Sequence, residues 1–332
     1  MIRILSTVAP LLLGVAILLT GQGLQGTLLP VRANLEGFST LSIGLMGGAY
    51  FFGFTLGCLR GSTLLRRVGH IRVFAAMTAA ASAVPLLHGL WVETWLWWLL
   101  RFVTGYCFAV LYVVIESWLN ELATNETRGM VFSAYTLITL TVLAVGQQML
   151  LLYDPQQMAL FAIASAAVSR AAIPVVMSVA PPPQHGEEKV RLDIRRLFRI
   201  SPAGALGCLA SCLANGPFWA LAPVFVAGYS SEISLVAWFM TAAVLGGALG
   251  QWPLGFWSDR VDRRWVIAFA AFLGLLVGLA AWLFFSSMSP VLLMSLGAAW
   301  GAGAFPLYAV SVAHTNDHAR PGEYVMISSG LL

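Results

Sequence analysis

Charged side chains are scarce in this chain: Asp, Glu, Lys and Arg make up 10% of its 332 residues. Soluble domains contain roughly 25%. Hydrophobic residues make up 59% of the sequence and occur in long runs. Because a membrane-spanning helix needs about 20 apolar residues, we predict an all-α polytopic membrane protein with about ten spans. Continuous apolar runs such as residues 73–87 lack the alternation typical of a transmembrane β-barrel.

Groups suited to catalysis or metal binding are also few. The four cysteines lie inside predicted spans, without the spacing of a zinc site, and no histidine has a spaced nucleophile. We therefore expect no enzyme activity, no metal and no cofactor. In a membrane protein the net charge of +4 reports orientation, so we expect no nucleic-acid partner.

Charged or Pro/Gly-rich breaks separate ten predicted spans. They lie near residues 5–29, 41–59, 71–91, 96–118, 128–152, 158–179, 203–227, 234–257, 265–286 and 290–313. The one sizeable hydrophilic segment, residues 181–200, carries five basic side chains. We predict that it is a basic cytoplasmic linker between a six-span half, residues 1–180, and a second half, residues 201–332. Its basic part could form a helix on an anionic membrane surface.

Arginine is distributed unevenly between the predicted loops. With a cytoplasmic N-terminus, the outer loops contain Arg32 alone. The inner loops then contain the basic residues of the linker together with Arg60, Arg66, Arg67, Arg72, Arg128, Arg260, Arg263, Arg264 and Arg320. Cytoplasmic loops of membrane proteins carry such an excess, so we predict that the N-terminus is cytoplasmic.

The two halves of the sequence repeat. A shift of 193 residues places Gly53 on Gly246, Gly57 on Gly250 and Arg67 on Arg260. A shift of 196 residues places Tyr112 on Tyr308, Val114 on Val310 and Asn120 on Asn316. A duplicated six-helix unit is the simplest explanation. In this register an eleventh span begins near Glu323 and a twelfth is missing, so we expect either a fragment or a truncated product.

The turn after the eighth predicted span carries five charges. Its residues Gly255, Asp259, Arg260, Arg263 and Arg264 match the pattern G-x-x-x-D-R-x-x-R-R. This pattern resembles the signature of the major facilitator superfamily, and the resemblance covers nearly the whole chain. It implies two pseudo-symmetric six-helix halves that rock about a site near the middle of the membrane. The stretches at residues 116–120 and 316–319 resemble a poorly characterised bacterial branch near drug and sugar exporters.

The resemblance implies that the turn forms a cytoplasmic gate. An acid such as Asp259 is favoured opposite a helix N-terminus, and we expect that partner at the start of the fifth span, near Arg128. In the first half the equivalent position is Arg66. We predict that Arg66 or Arg67 pairs with Glu323 instead. The alternative is that Arg66 only adds to the positive charge of the inner loops.

Three charged residues inside spans are candidates for substrate binding or coupling. Arg101 with Gly105 resembles the superfamily motif R-x-x-x-G, and it either faces the central cavity or extends to the interface beside Trp97 and Trp98. Arg170 either lines the cavity or extends toward the cytoplasm. Glu116 either titrates during transport or bonds to neighbouring helix ends.

Polar side chains in the spans supply further candidates for the cavity. They are Gln22, Gln25, Gln147, Gln148, Asn215, Gln251, Tyr112 and Tyr308. Gln22 and Asn215 occupy equivalent positions in the repeat, as expected for a site shared by both halves. The alternative is ordinary hydrogen bonding between helices.

These features predict a secondary active transporter of a small organic molecule, with export favoured by the branch that it resembles. The resemblance also implies a bacterial inner membrane protein that spans the bilayer many times and acts as a monomer. A proton is a candidate coupling ion. However, the fifth span lacks the Gly-Pro pair of antiporters, which argues against a proton-driven drug antiporter. The alternative function is a transporter-derived membrane scaffold or assembly factor that does not transport.

Overall fold

The computed structural model describes residues 2–124, 126–178, 194–230, 232–284 and 287–318. These residues form helices and connecting turns, with no strand among them. Ten of their helices are long and apolar enough to cross a membrane. The predicted all-α polytopic fold is thus confirmed. The chain folds into two compact units, Met1–Lys189 and Val190–Leu332.

Six candidate membrane spans lie among the residues of unit 1 that the structure describes. Its helices are α1 (Ile2–Leu35), α2 (Thr40–Val68), α3 (His70–Leu90), α4 (Thr94–Leu122), α5 (Arg128–Gln148), α6 (Met158–Arg170) and α7 (Ala172–Val176). Helix α5 continues as the 3-10 helix Met149–Leu152, and α6 continues after a turn as α7. The break between α6 and α7 follows from Pro174, because a proline ring clashes with the carbonyl four residues earlier. That carbonyl belongs to Arg170, the last residue of α6.

The described residues of unit 2 contain four candidate spans. Its helices are α8 (Ile194–Ile200), α9 (Pro202–Tyr229), α10 (Ile233–Ser258), α11 (Arg263–Phe284) and α12 (Pro290–Asp317). Helices α9 and α12 begin alike: Ser201 and Ser289 accept hydrogen bonds from backbone N–H groups three residues later, and a proline follows each serine. These are favourable residues for a helix start.

Several helices extend past the predicted span ends. The second predicted span ends at residue 59, whereas α2 continues through Arg60, Arg66 and Arg67 to Val68. A charged residue ends an apolar run but not a helix, because the backbone hydrogen bonds do not depend on side-chain polarity. Gly69, with a φ of 90°, finally separates α2 from α3.

Glycines bring α2 and α4 into backbone contact. A Cβ atom built on Gly53 would lie 2.0 Å from the carbonyl oxygen of Phe102, and one built on Gly105 would lie 2.0 Å from that of Tyr50. A side chain of any size would separate the helices, so these positions require glycine. Small residues commonly allow such close packing between membrane helices.

The same contact recurs between α10 and α12 of unit 2. A Cβ atom on Gly246 would lie 2.0 Å from the carbonyl oxygen of Ala298, and one on Gly301 would lie 1.9 Å from that of Ala243. Each α10 residue is 193 positions after its α2 counterpart, and each α12 residue is 196 positions after its α4 counterpart. The repeat seen in the sequence is therefore also a repeat of helix packing.

Candidate functional site

A polar cluster joins α1, α2 and α4 within unit 1. Gln22 Nε2 donates a hydrogen bond of 2.9 Å to the hydroxyl of Tyr50. The hydroxyl of Tyr112 donates one of 2.9 Å to Gln22 Oε1. Together with Arg101, these residues form what we call the α1–α2–α4 cluster. It brings together three of the predicted site residues, Gln22, Arg101 and Tyr112.

Arg101 lies over the ring of Tyr50. Its guanidinium carbon is 4.3 Å from the ring centroid, a distance typical of a cation–π contact. Its Nε atom is buried and has no hydrogen-bond partner among the described residues. Trp97 and Trp98, beside which Arg101 could have extended, donate their indole N–H groups to backbone oxygens of Trp91 and Ser42.

Tyr50 is the member of the cluster that was not predicted from the sequence. It carries no charge, and no motif marks it among the eight tyrosines. Its role depends on the packing of α2 on α4, which sets the backbone of Tyr50 against Gly105 and its ring against Arg101. The glycine spacing in the two spans was only a partial signal: it indicates that α2 and α4 pack closely, but it does not show which side chain of α2 meets Arg101.

Glu116 lies further along α4 and is exposed. The hydroxyl of Tyr135 in α5 donates to Glu116 Oε1 over 3.5 Å, the upper limit for a hydrogen bond. Arg128, the first residue of α5, is also exposed. Tyr135 is the eighth residue of α5 and not its end, so both roles predicted for Glu116, bonding to neighbouring helix ends and titration during transport, stay predictions.

Two other glutamines of unit 1 are buried. Gln25 is 2% exposed, and both polar atoms of its amide lack a hydrogen-bond partner among the described residues. Gln147 is 1% exposed and follows Gly146. A Cβ atom on Gly146 would lie 2.3 Å from the carbonyl oxygen of Thr20 in α1, so this part of α5 packs directly on α1.

In unit 2 Asn215 links α9 to α12. Its Nδ2 atom donates to Ser211 Oγ and to the carbonyl oxygen of Ala304, each over 3.1 Å. Its Oδ1 atom is buried without a partner in the described part of the chain. Tyr308, the repeat equivalent of Tyr112, packs instead beside the small apolar cluster of Leu197 and Cys208. Gln22 and Asn215, which are equivalent in the repeat, thus make different hydrogen bonds.

Aromatic rings pack close to Asn215 in sequence and in space. Phe218 stacks on Trp300 with centroids 5.7 Å apart, and Trp219 stacks on Phe305 with centroids 5.3 Å apart. The indole nitrogen of Trp300 is buried with no hydrogen-bond partner among the described residues. This apolar group joins α9 to α12 and adds little polar chemistry to unit 2.

The charged turn of the motif is organised around Arg263. The Nε atom of Arg263 donates to Asp317 Oδ2 over 2.7 Å, and its Nη2 atom donates to Asp259 Oδ1 over 3.2 Å. Its Nη1 atom reaches Ser258 Oγ over 3.3 Å. The network fastens the end of α10, the start of α11 and the end of α12 to one another. Asp317 was not among the site residues predicted from the sequence.

The remaining charges of the turn form local contacts. Arg264 makes a bidentate ion pair with Asp262, with a shortest distance of 2.6 Å. Hydrogen bonds from Arg264 lower the pKa of Asp262 to about 2. The guanidinium carbon of Arg260 lies 3.3 Å from the ring centroid of Phe256. The expected partner of Asp259 at the start of α5 belongs to the other unit, and that contact stays a prediction.

In unit 1 the positions equivalent to the start of the charged turn lie in the last turn of α2. Arg66 and Arg67 are both exposed there. Glu323 lies outside the described residues, so its pairing with either arginine stays a prediction. Arg170 is exposed at the end of α6, where the helix breaks.

The model of the Major Facilitator Superfamily matches residues 11–329 of the chain. This chain belongs to the Major Facilitator Superfamily. An uncharacterized MFS-type transporter of Enterobacter sp. (strain 638) is 29% identical over 326 residues, which cover 97% of this chain and 83% of that protein. The uncharacterized MFS-type transporter YcaD of Escherichia fergusonii is 27% identical with the same coverage. The chain is therefore a multi-pass membrane protein of transporter type.

Solved structures share the superfamily fold. A mutant of the nucleoside transporter NupG matches with a TM-score of 0.79 and 12% identity, over 97% of this chain and 88% of NupG. A bacterial homolog of the lysosomal transporter Spinster, in an inward-facing and occupied conformation, matches with a TM-score of 0.76 and 14% identity, over 98% and 77%. At these identities the likeness concerns the fold alone.

Proposed function

We propose that this protein is a secondary active transporter that carries a small organic molecule across the bacterial inner membrane by alternating access. The observation that carries the proposal is the α1–α2–α4 cluster, a group of polar side chains within membrane-spanning helices. An intramembrane cation is costly, and such residues usually serve a substrate or ion pathway. Membership of the superfamily favours transport over a scaffold.

The proposal includes the direction of transport and the orientation of the chain in the membrane. The excess of arginine in one set of loops supports a cytoplasmic N-terminus. Export is supported by the resemblance of residues 116–120 and 316–319 to an exporter branch. We further propose that the transporter acts as a monomer and that a proton is its coupling ion.

Tyr112 tests the assignment of the cluster because α4 offers a matched control. The hydroxyl of Tyr112 bonds to Gln22, whereas that of Tyr106, six residues earlier, makes no hydrogen bond to a described residue. Loss of a hydrogen bond to substrate or to its binding group costs about 1.4 kcal/mol, a tenfold change. We therefore expect Tyr112→Phe to reduce transport about tenfold and Tyr106→Phe to leave it unchanged.

The assay measures flux in proteoliposomes that contain the purified full chain, with and without an imposed pH gradient. Radiolabelled nucleosides, sugars and small carboxylates form the probe panel, because NupG is a nucleoside transporter and the structural neighbour FucP is a fucose:proton symporter. We expect protein-dependent movement of at least one probe. Equal flux into protein-containing and empty liposomes for every probe would contradict the proposal.

A further inference from the structure

Arg101 has no acidic partner in the part of the chain that the structure describes. None of the described ion pairs includes it, and its neighbour is the ring of Tyr50. Arg101 lies seven residues into α4, within the candidate span Thr94–Leu122. A guanidinium stays charged in a protein, so the charge at this position is permanent.

The sequences of the spanning helices explain why no partner is available. Helices α1, α2, α3, α5, α6, α9, α10 and α11 contain no Asp or Glu. The acids of α4 begin at Glu116, which lies fifteen residues after Arg101 on the same helix. At 1.5 Å per residue this separation is about 22 Å, too far for an ion pair. The acid of α12 is Asp317, its last residue, which binds Arg263.

The neighbours of Arg101 add unused hydrogen-bond donors. The hydrogen bonds of the cluster run from Tyr112 to Gln22 and from Gln22 to Tyr50. The hydroxyl hydrogen of Tyr50 and the second amide hydrogen of Gln22 are then left without an acceptor among the described residues. If the amide of Gln22 is turned over, the spare hydroxyl hydrogen belongs to Tyr112 instead. In either arrangement the cluster offers donors and positive charge.

The charge of the α1–α2–α4 cluster has no counterpart at the equivalent positions of unit 2. In the repeat, Tyr50 corresponds to Ala243 and Arg101 corresponds to Gly297. Neither residue of unit 2 has a side chain that could bind an anion. The charge is thus specific to this half and is not required by the helix packing that both halves share.

We propose that the transported molecule is a small organic anion whose carboxylate binds Arg101 and accepts the spare hydrogen bonds of Tyr50 and Gln22. This proposal rests on the transport function proposed above and names the class of its substrate. A carboxylate matches the planar fork of a guanidinium through two parallel hydrogen bonds. One carboxylate also balances the single charge of Arg101, so a monoanion fits the cluster best.

The test compares acids with their amides, which have nearly the same shape but no charge. The purified protein in detergent is heated with 50 mM acetate, lactate or benzoate, or with acetamide, lactamide or benzamide. A ligand that binds the folded state raises its melting temperature. We expect at least one acid to raise the Tm of the wild type by about 2 °C or more, and its amide to have no effect.

Arg101→Gln and Arg101→Lys show whether the effect depends on this side chain. We expect Arg101→Gln to abolish the protection and Arg101→Lys, which keeps the charge but not the fork, to weaken it. Arg72→Gln is the control, because Arg72 is exposed near the start of α3. Without ligand, Arg101→Gln should melt at or above the wild-type temperature, because it removes an unpaired charge.

The proposal is overturned if no acid protects the wild type, if the amides protect as well as the acids, or if Arg101→Gln retains the protection. A ligand-free Arg101→Gln protein that melts well below the wild type would show a structural role and would also overturn it. Flux of neutral nucleosides or sugars that persists in Arg101→Gln would exclude the anion and leave the transport function intact. Absence of flux for every probe would reject transport itself.

Discussion

Gly105→Ala should destabilise the protein strongly although it adds a single methyl group. The new Cβ atom would lie 2.0 Å from the carbonyl oxygen of Tyr50, 2.9 Å from its carbonyl carbon and 3.0 Å from the nitrogen of Phe54. All three atoms are backbone, so no side chain can turn aside. To reach an ordinary contact distance, α2 and α4 must separate locally by about 1.4 Å.

Overpacking of this kind costs about 1–3 kcal/mol and occasionally more. Because the contact is with backbone on a neighbouring long helix, we expect about 3 kcal/mol, equivalent to a decrease in Tm of about 6–12 °C. Gly48→Ala is the matched control on α2, because nothing lies within 4 Å of its Cβ position. Alanine is the better helix former, so Gly48→Ala should leave the Tm unchanged or raise it slightly.

The assay is the thermal unfolding of the purified variants in one detergent, followed by tryptophan fluorescence and by the loss of the monodisperse peak. Gly301→Ala provides a second test in unit 2, where the Cβ atom would lie 1.9 Å from the carbonyl oxygen of Ala243. Gly105→Ala and Gly48→Ala with melting temperatures within 2 °C of each other would refute the close backbone contact between α2 and α4.

Two further predictions concern the charged turn. Arg263→Ala should lower the Tm by about 2–6 °C, since it removes charge-assisted hydrogen bonds to both Asp317 and Asp259. Arg264→Ala should have little effect, because its ion pair with Asp262 is exposed. Equal effects of the two substitutions would contradict the central position of Arg263. Because the pKa of Asp262 is lowered to about 2, its contribution to stability is present above its ordinary pKa and is lost only as the pH falls toward 2. The difference in Tm between wild type and Asp262→Asn should therefore be constant from pH 7.5 to pH 9, above the range in which the neighbouring His314 titrates, and a difference that changes across this range would show that another group controls the turn.

Much of this fold could be predicted from the sequence because the membrane imposes simple rules. Apolar runs of span length became the ten long helices, and the repeat predicted a duplicated unit, whose shared helix packing is seen in the structure at Gly53 and Gly246. Helix ends were harder to predict. Arg60 ended an apolar run, yet α2 continues to Val68, because backbone hydrogen bonding does not stop at a charge.

The site was only partly predictable. Arg101 could be identified because a cation inside an apolar run is conspicuous, and Gln22 because its repeat equivalent is also an amide. Tyr50 could not, because its contact with Arg101 depends on how α2 rotates against α4. Asp317 follows the last predicted span and binds Arg263, 54 residues earlier, through the packing of α11 on α12. Such pairings depend on tertiary geometry, which local patterns do not encode.

Labelling of the α1–α2–α4 cluster from both sides of the membrane would show whether the protein is a carrier that works through this cluster. The native cysteines Cys58, Cys107, Cys208 and Cys212 are first replaced, and Gln22→Cys is then introduced as the single thiol. A membrane-impermeant thiol reagent is added to right-side-out or to everted vesicles. Alternating access predicts that position 22 is labelled from either side. Absence of labelling from both sides would show that the cluster is a closed helix contact, and it would contradict a carrier that works through this site.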